Sequence, residues 1–173
     1  KLACSILDIQ ENDKVLELCS GKGNFFTEAF ATQENFDYTG VELNYVSNDI
    51  AQIRAELLDK NISLILNDAF EYRADEKADK LFANYPFMVK TPAMSEHKET
   101  IRKAFDIPAE VVQRASSDWV FNATIVEQMN ANGKAVAIMT NGATWNTTDR
   151  SIRQFFIENG FIEAVISLPS KLF

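Results

Sequence analysis

The chain has 173 residues, 46% of them hydrophobic, with six glycines and four prolines, which fits one globular domain with a sizeable core and excludes a disordered chain. Its net charge of −8 argues against strong binding to nucleic acid by this chain alone, because non-specific affinity comes mainly from Lys and Arg on phosphates.

The sequence predicts a cytoplasmic protein that does not enter a membrane. No apolar run approaches the roughly 18 residues of a transmembrane helix. The first residues, KLACSILDIQENDK, lack the long apolar region and small-residue cleavage site of a signal peptide. Two cysteines, Cys4 and Cys19, do not make a disulfide framework, which favours a reducing compartment.

Strand-like and helix-like apolar patterns alternate along the chain. Strands are predicted at 14–18, 38–43, 62–66, 80–83, 134–139 and 161–168. Helices are predicted at 24–33, 46–60, 117–130 and 149–160, with Ser117 and Asp118 as capping candidates and Gly160 as a helix-ending glycine.

This alternation predicts an α/β fold with a doubly wound, parallel sheet and helices on both faces. Residues 88–116 are the least patterned part of the chain and are predicted to form a loop-rich insertion or lid. The pattern also begins and stops abruptly at the two ends, so the chain resembles an excised core.

The first candidate binding segment follows the first predicted strand, in the run ELCSGKGNFF at 17–26. Gly21 and Gly23 would let the chain turn tightly and bring its backbone close to a ligand before the next helix. The run is weaker than a complete Gly-x-Gly-x-x-Gly pattern, and alone it fits an ordinary strand–helix turn equally well.

Acidic residues follow the second and third predicted strands. Glu42 lies nineteen residues after Gly23, near the spacing at which a carboxylate accepts hydrogen bonds from ribose hydroxyls; a solvated carboxylate is the alternative. Asp68 could accept from an exocyclic amine, with Phe70 flanking a flat ring, although an Asx turn explains Asp68 nearly as well. Together these residues favour an adenosine-binding edge, without distinguishing a nicotinamide cofactor from S-adenosylmethionine.

The fourth predicted strand ends in Asn84, Tyr85, Pro86 and Phe87. A planar amino group is a poor nucleophile, and a site that methylates it should accept both of its N–H bonds. The Asn84 side-chain oxygen and the Tyr85 main-chain carbonyl could be these acceptors. Pro86 restricts the turn, and Phe87 offers a face on which an extruded base can stack. The alternative is an ordinary β-turn with an incidental aromatic residue.

These segments resemble those of amino-group methyltransferases. ELCSGKGNFF is similar to their S-adenosylmethionine loop, and NYPF is similar to their catalytic motif, [Asp/Asn/Ser]-Pro-Pro-[Tyr/Phe]. The block at 116–173 resembles the modification subunits of type I restriction systems, which are N6-adenine DNA methyltransferases. The resemblance implies a Rossmann-like sheet of the S-adenosylmethionine-dependent methyltransferase type, with residues 1–173 as a single catalytic core shortened at both ends.

Carried over residue by residue, the resemblance implies S-adenosylmethionine as cofactor and catalysis at Asn84, Tyr85, Pro86 and Phe87. The cofactor contacts that it implies are Glu17, Cys19, Gly21, Gly23, Asn24, Phe25, Glu42, Leu43, Asp68, Ala69 and Phe70.

The resemblance also implies partners and includes three departures from the family pattern. The substrate would be a flipped adenine in DNA, reached within a complex that holds a specificity subunit, a second modification subunit and, in complete systems, a restriction subunit. Glu17-Leu18 stands where the family usually has Asp-Pro, Tyr85 replaces the first proline of the catalytic motif, and Thr140 precedes Asn-Gly in place of proline. These changes bear on turnover more than on substrate class.

Three other functions compete with this interpretation. Similar motifs occur in methyltransferases that act on protein glutamine or RNA guanine, and the acidic charge suits a protein substrate. A non-catalytic cofactor-binding subunit is compatible with Tyr85, whereas a nicotinamide-dependent dehydrogenase gives the NYPF motif no role.

Three other residue groups are predicted to have no part in the chemistry. His97, the only histidine, is expected in an exposed polar loop, and no metal site is predicted. Trp119, Phe155 and Phe156 are predicted to be core residues, and Lys22 is predicted to be solvated.

Overall fold

The computed structural model describes residues 1–169, and five strands form one wholly parallel sheet in the order β3-β2-β1-β4-β5. The strands are β1 (Lys14–Leu18), β2 (Asp37–Glu42), β3 (Ile62–Leu66), β4 (Ala78–Ala83) and β5 (Met129–Ala137). The helices are α1 (Leu2–Leu7), α2 (Asn24–Phe30), α3 (Tyr45–Leu58), α4 (Pro92–Phe105), α5 (Ala109–Arg114), α6 (Ser117–Gln128) and α7 (Arg150–Glu158), with a short 3₁₀ turn at Asn141–Thr144.

Each face of the sheet carries its own apolar cluster, because successive side chains of a strand point to opposite faces. On β1, Leu16 and Leu18 enter one cluster and Val15 enters the other; on β4, Leu81 and Phe82 divide in the same way. Helices α4 to α7 cover the first cluster, and α1 to α3 cover the second. The predicted doubly wound α/β fold is therefore confirmed.

The sheet topology places the candidate site. The carboxyl ends of all five parallel strands lie at one edge, and the chain leaves β1 towards β2 but returns to its other side as β4. Ligands of open α/β sheets bind at such a reversal of strand order. Leu18 pairs with Ala83, so the segments that follow β1 and β4 begin side by side.

The segment predicted as a loop or lid, 88–116, contains two helices instead. Thr91 caps α4 by accepting a hydrogen bond from the Met94 amide at 3.1 Å, and Pro92 occupies the first turn, where its missing N–H costs nothing. A loop-rich insertion was therefore the wrong prediction for this region.

The predicted sixth strand is also absent from the described residues. Residues 161–168 have no regular secondary structure, and Val165 and Ile166 are exposed. An apolar run becomes a strand only when a neighbouring edge pairs with it, and no strand of residues 1–169 does so. Residues 170–173, the end of the block that resembles the family, lie outside the described residues.

Two helix ends refine the predicted boundaries. Ser116, not Ser117 or Asp118, is the N-cap of α6. Gly160 ends α7 as predicted, with φ of 68°, and the Phe161 amide donates to the Phe156 carbonyl at 3.0 Å in a Schellman-type ending. Among residues 1–169, no helix has both the length and the apolar character that crossing a bilayer requires.

Candidate active site

The loop after β1 is built on left-handed backbone conformations, at Cys19 (φ 59°), Gly21 (57°) and Gly23 (81°). A Cβ at Gly23 would lie 2.2 Å from the Phe26 ring, so this glycine lets α2 begin close against the loop. A Cβ at Gly21 would meet no atom within 4 Å. The glycine loop therefore has open space above Gly21, where a ligand can approach the backbone.

Glu42 joins the end of β2 to the glycine loop. Its Oε2 accepts from the Gly21 amide at 2.7 Å, and its Oε1 accepts from the Asn44 amide, also at 2.7 Å. Each carboxylate oxygen keeps a second lone pair, so these two bonds leave acceptor capacity for ribose hydroxyls. The structure thus joins Glu42 to the glycine loop, and its predicted contact with ribose hydroxyls stays a prediction.

Asp68 lies after β3, and its Oδ1 accepts from the Phe70 amide at 2.9 Å, which is the Asx turn considered as an alternative. The same carboxylate lies close to the glycine loop. Burial, followed by the negative charges of Glu42, Asp68 and Glu17, raises the pKa of the Cys19 thiol to about 12. Cys19 is therefore a neutral thiol at physiological pH, surrounded by three carboxyl groups.

Glu17 lies beneath the loop and is buried. Its carboxyl oxygen accepts a short hydrogen bond from the Tyr38 hydroxyl on the neighbouring strand. Burial, opposed by this bond and reinforced by the Glu42 charge, raises the pKa of Glu17 well above its usual value. Through Tyr38, the Glu17 side chain joins β1 to β2, and its contact with a cofactor stays a prediction.

Besides Glu17, three predicted cofactor contacts have buried side chains: Phe25, Ala69 and Phe70. The Phe25 ring stacks on Phe82 with centroids 4.3 Å apart, and the Phe70 ring packs against Phe121 at the same separation. The Phe70 ring is thus enclosed in the core, and its predicted role of flanking a flat ligand stays a prediction.

Two other predicted cofactor contacts are accessible. Leu43 is exposed directly after β2. Asn24 is exposed at the start of α2, where its Oδ1 accepts from the Arg54 guanidinium at 2.6 Å. Both residues lie beside the glycine loop and are accessible to a ligand there.

The loop after β4, residues 84–89, is called the catalytic loop below, after the catalytic role that the sequence predicts for it. Asn84, Pro86 and Phe87 are exposed, with 46% of Phe87 accessible, and Met88 adopts a left-handed φ of 56°. Tyr85 is only 2% exposed. Its side chain belongs to the core, so any role in chemistry would fall to its main-chain carbonyl.

The sequence patterns missed several polar groups at this edge. The Thr140 hydroxyl donates to Asp118 Oδ2 at 2.5 Å, while Asp118 Oδ1 and Ser20 Oγ are buried without a partner among the described residues. Burial raises the pKa of Asp118. Trp145 follows the 3₁₀ turn after β5 and is 71% exposed. Only the position of Thr140 after a predicted strand could have indicated this group.

His97 is not in an exposed loop, because it is a buried residue of α4 and 3% exposed. The Arg73 guanidinium, which can only donate, lies 2.7 Å from Nδ1, and Nε2 lies 2.9 Å from the Thr124 hydroxyl. Burial and the nearby Arg73 charge lower the pKa of His97 to about 4. This histidine fastens α4 to α6 and lies outside the candidate site.

The space and the polar groups at this edge fit a nucleoside-bearing cofactor. Open space above Gly21, an unsatisfied buried hydroxyl at Ser20 and acceptors on Glu42 and Asp68 all occur at the reversal of strand order. This donor set and this space fit a nucleoside with a polar tail.

Solved structures share this fold. A Listeria monocytogenes protein assigned to the class I S-adenosylmethionine-dependent methyltransferases superposes with a TM-score of 0.78 at 17% identity, covering 97% of this chain and 51% of that one. A methyltransferase from Thiobacillus denitrificans, solved with S-adenosyl-L-homocysteine, gives 0.56 at 18% identity, covering 78% and 44%. The fold is therefore that of S-adenosylmethionine-dependent methyltransferases.

Sequence comparison identifies the family. The chain is 26% identical to the type I restriction enzyme MjaVIII methylase subunit of Methanocaldococcus jannaschii, over the whole of this chain and 32% of that protein. This chain thus spans about a third of the length of that relative. The sequence model of the N-6 DNA Methylase family matches residues 1–173, and the chain belongs to that family.

Proposed function

We propose that this chain transfers a methyl group from S-adenosylmethionine to the N6 amino group of adenine in DNA, as the catalytic core of a type I modification subunit. The observation that carries the proposal is the pairing of Leu18 with Ala83, which starts the glycine loop and the catalytic loop side by side. The family and the MjaVIII relative support the choice of substrate.

We assign cofactor binding to the glycine loop and the acidic strand ends. Glu42 would accept from the ribose hydroxyls, and Asp68 from the adenine amino group, through the oxygen that the Asx turn leaves available. Because Gly21 has no Cβ, the cofactor could approach the main chain of the glycine loop closely. When bound, S-adenosylmethionine supplies an electrophilic methyl group on a sulfonium.

We assign the chemistry of the amino group to the catalytic loop. The Asn84 side-chain oxygen and the Tyr85 carbonyl would each accept one N–H of the target amine, which favours a tetrahedral nitrogen with its lone pair aimed at the methyl carbon. The methyl group would pass from the sulfonium to this nitrogen, with S-adenosyl-L-homocysteine as the leaving group, and the nitrogen would then release one proton to solvent. Exposed Phe87 would stack on the flipped base.

The acidic charge supports catalysis within a complex. A chain of net charge −8 gains little from phosphate contacts, so a specificity subunit and a second modification subunit would supply the cationic surface that holds DNA. The MjaVIII relative is itself named as the methylase subunit of a type I restriction enzyme.

The test uses the full-length protein with its native partner subunits. Asn84→Ala should lower methyl transfer to adenine-containing duplex DNA by at least about 100-fold, the loss typical of one preorganised partner of a transition state. Cofactor affinity, measured by calorimetry, should change little because Asn84 contacts the target base. The matched control is Asn132→Ala, an exposed asparagine in the β5 segment. Full activity in Asn84→Ala would refute the assignment.

A second test addresses the substrate in the cell. Genomic DNA of the source organism should lose N6-methyladenine at one split motif when the parent gene is deleted. An unchanged methylation pattern would contradict DNA as substrate and favour protein glutamine, RNA guanine or a non-catalytic cofactor-binding subunit.

A further inference from the structure

The catalytic loop is held at two points by the first turns of α6. The Tyr85 hydroxyl lies 3.3 Å from both the Asp118 carbonyl and Asn122 Oδ1, to which it can donate in turn. At the other end of the loop, the Val89 amide donates to Ser117 Oγ at 3.1 Å. The residues between these anchors project towards solvent.

The Tyr85 ring adds an apolar contact to the first anchor. It stacks on Phe121 with centroids 4.4 Å apart and planes 3° from parallel. Phe121, Ser117 and Asn122 all belong to α6, so one helix contacts the ring, its hydroxyl and the far end of the loop.

The same helix also holds the segment after β5. Asp118 accepts from the Thr140 hydroxyl at 2.5 Å, and the Trp119 indole N–H donates to the Ala143 carbonyl at 3.0 Å. The start of α6 is therefore a shared support for two neighbouring loops at the carboxyl edge of the sheet.

We propose that Tyr85, Asn122 and Ser117 are positioning residues, which set the orientation of Asn84 and Phe87 by clamping the catalytic loop onto α6. This inference rests on the proposed function for the reaction that it serves. The family motif restrains this point of the loop with a proline ring; here a buried side chain restrains it. The departure from the family pattern thus replaces one restraint by another.

The test compares single-atom variants in the full-length protein with its partner subunits. Tyr85→Phe keeps the ring and removes only the hydroxyl, so the stacking on Phe121 and the melting temperature should be retained. The kcat for methyl transfer should fall about threefold to tenfold, the range expected for losing one neutral hydrogen bond. The KM for DNA and the Kd of the cofactor should stay within about twofold of wild type, because the loop can still contact both ligands.

Three further variants distinguish positioning from general structural support. Tyr72→Phe removes the hydroxyl of a half-buried tyrosine outside the catalytic loop and should leave kcat unchanged. Tyr85→Phe combined with Asn122→Ala should lose no more kcat than Tyr85→Phe alone, because Tyr85→Phe already removes the hydroxyl that Asn122 accepts from. Ser117→Ala should reproduce the loss of kcat from the other end of the loop.

Amide hydrogen exchange supplies a readout that does not depend on activity. In Tyr85→Phe the amides of 87–89 should exchange faster, while those of β1 and β4 should not. A wild-type exchange pattern in Tyr85→Phe overturns the proposal, and so does a parallel loss of kcat, cofactor affinity and melting temperature.

Failure of the proposed function is separable from failure of this inference. If Asn84→Ala methylates DNA at the wild-type rate, the proposed function fails, and hydrogen exchange still decides whether α6 clamps the loop. If Asn84→Ala is inactive while Tyr85→Phe keeps wild-type kcat, only the clamp is refuted.

Discussion

At the scale of single residues, the two glycines of the loop after β1 have different surroundings. Gly21 and Gly23 both have positive φ, but only Gly23 is also crowded, by the Phe26 ring. Replacing each glycine by alanine therefore distinguishes the effect on folding stability from the effect on ligand binding.

Gly23→Ala should lower the free energy of unfolding by about 3 kcal/mol or more, because backbone strain and a clash with Phe26 add together. Gly21→Ala should cost only about 1–2 kcal/mol from left-handed strain. Cofactor affinity should show the reverse order, falling more in Gly21→Ala, where the added methyl enters the open space. Chemical denaturation and calorimetry measure the two effects; equal losses of stability would contradict the packing.

The buried carboxyl of Glu17 gives a prediction about pH. Its pKa is raised in the folded protein, so the folded state binds the proton more tightly than the unfolded chain does. The stability that protonated Glu17 contributes is fully present below the unfolded pKa of 4.5 and is lost as pH rises through the folded pKa. Glu17→Gln should therefore raise the melting temperature at mildly alkaline pH and less so near pH 4. Equal shifts in melting temperature at both pH values would show that ionised Glu17 does not destabilise the folded state.

Sequence patterns located the main-chain positions of the site more reliably than its side chains. The strand ends carrying Gly21, Glu42 and Asn84 lie at one edge, as parallel pairing requires. The directions of the Phe70 and Tyr85 side chains could not be predicted, because they depend on which face of the sheet α6 covers.

At the scale of elements, α4 shows why a helix escaped detection. Its buried residues are Met94, His97, Lys98 and Ile101, a helical stripe whose two central members are polar. The stripe is buried because the polar ends are satisfied: Lys98 Nζ donates to the Gln113 carbonyl at 2.9 Å, and His97 lies between Arg73 and Thr124. Hydropathy alone could not reveal such a stripe.

His97 makes the packing of α4 on α6 sensitive to acid. Its pKa falls from 6.5 to about 4 on folding, so the unfolded chain binds the proton more readily. Its contribution to stability is complete above pH 6.5 and is lost as pH falls towards 4, by up to about 3 kcal/mol. Glu127, 3.6 Å from Nε2, moderates this loss by attracting the protonated ring.

His97→Gln should flatten the dependence of unfolding free energy on pH between about 6.5 and 4, because glutamine does not titrate. Denaturant titrations of both proteins across this range measure the slope. An unchanged slope of unfolding free energy against pH would show that other titrating groups cause the loss of stability in acid.

At the scale of the whole molecule, the overall charge bears on how tightly this chain could hold DNA. A net charge of −8 offers little affinity for phosphates. The sheet was predictable from strand–helix alternation, whereas the state of 161–168 depends on pairing that the described residues do not provide.

Residues 1–173 alone should bind duplex DNA with a Kd weaker than about 10⁻⁴ M at physiological salt, the weak end of non-specific binding, because their net charge is −8. Adding the specificity subunit should increase affinity by several orders of magnitude. Fluorescence anisotropy of labelled duplex measures both states. A micromolar Kd for the protein alone would show that it binds DNA through a local cationic surface despite its overall negative charge.

The two tryptophans differ sharply in their surroundings: Trp119 is enclosed beneath the loop after β5, and Trp145 is open to solvent at the carboxyl edge of the sheet. Collisional quenchers such as iodide should therefore extinguish only the emission of Trp145. The natural chain thus carries an optical probe beside its candidate site and an internal reference within its core, so ligand arrival at this edge can be followed without any attached dye.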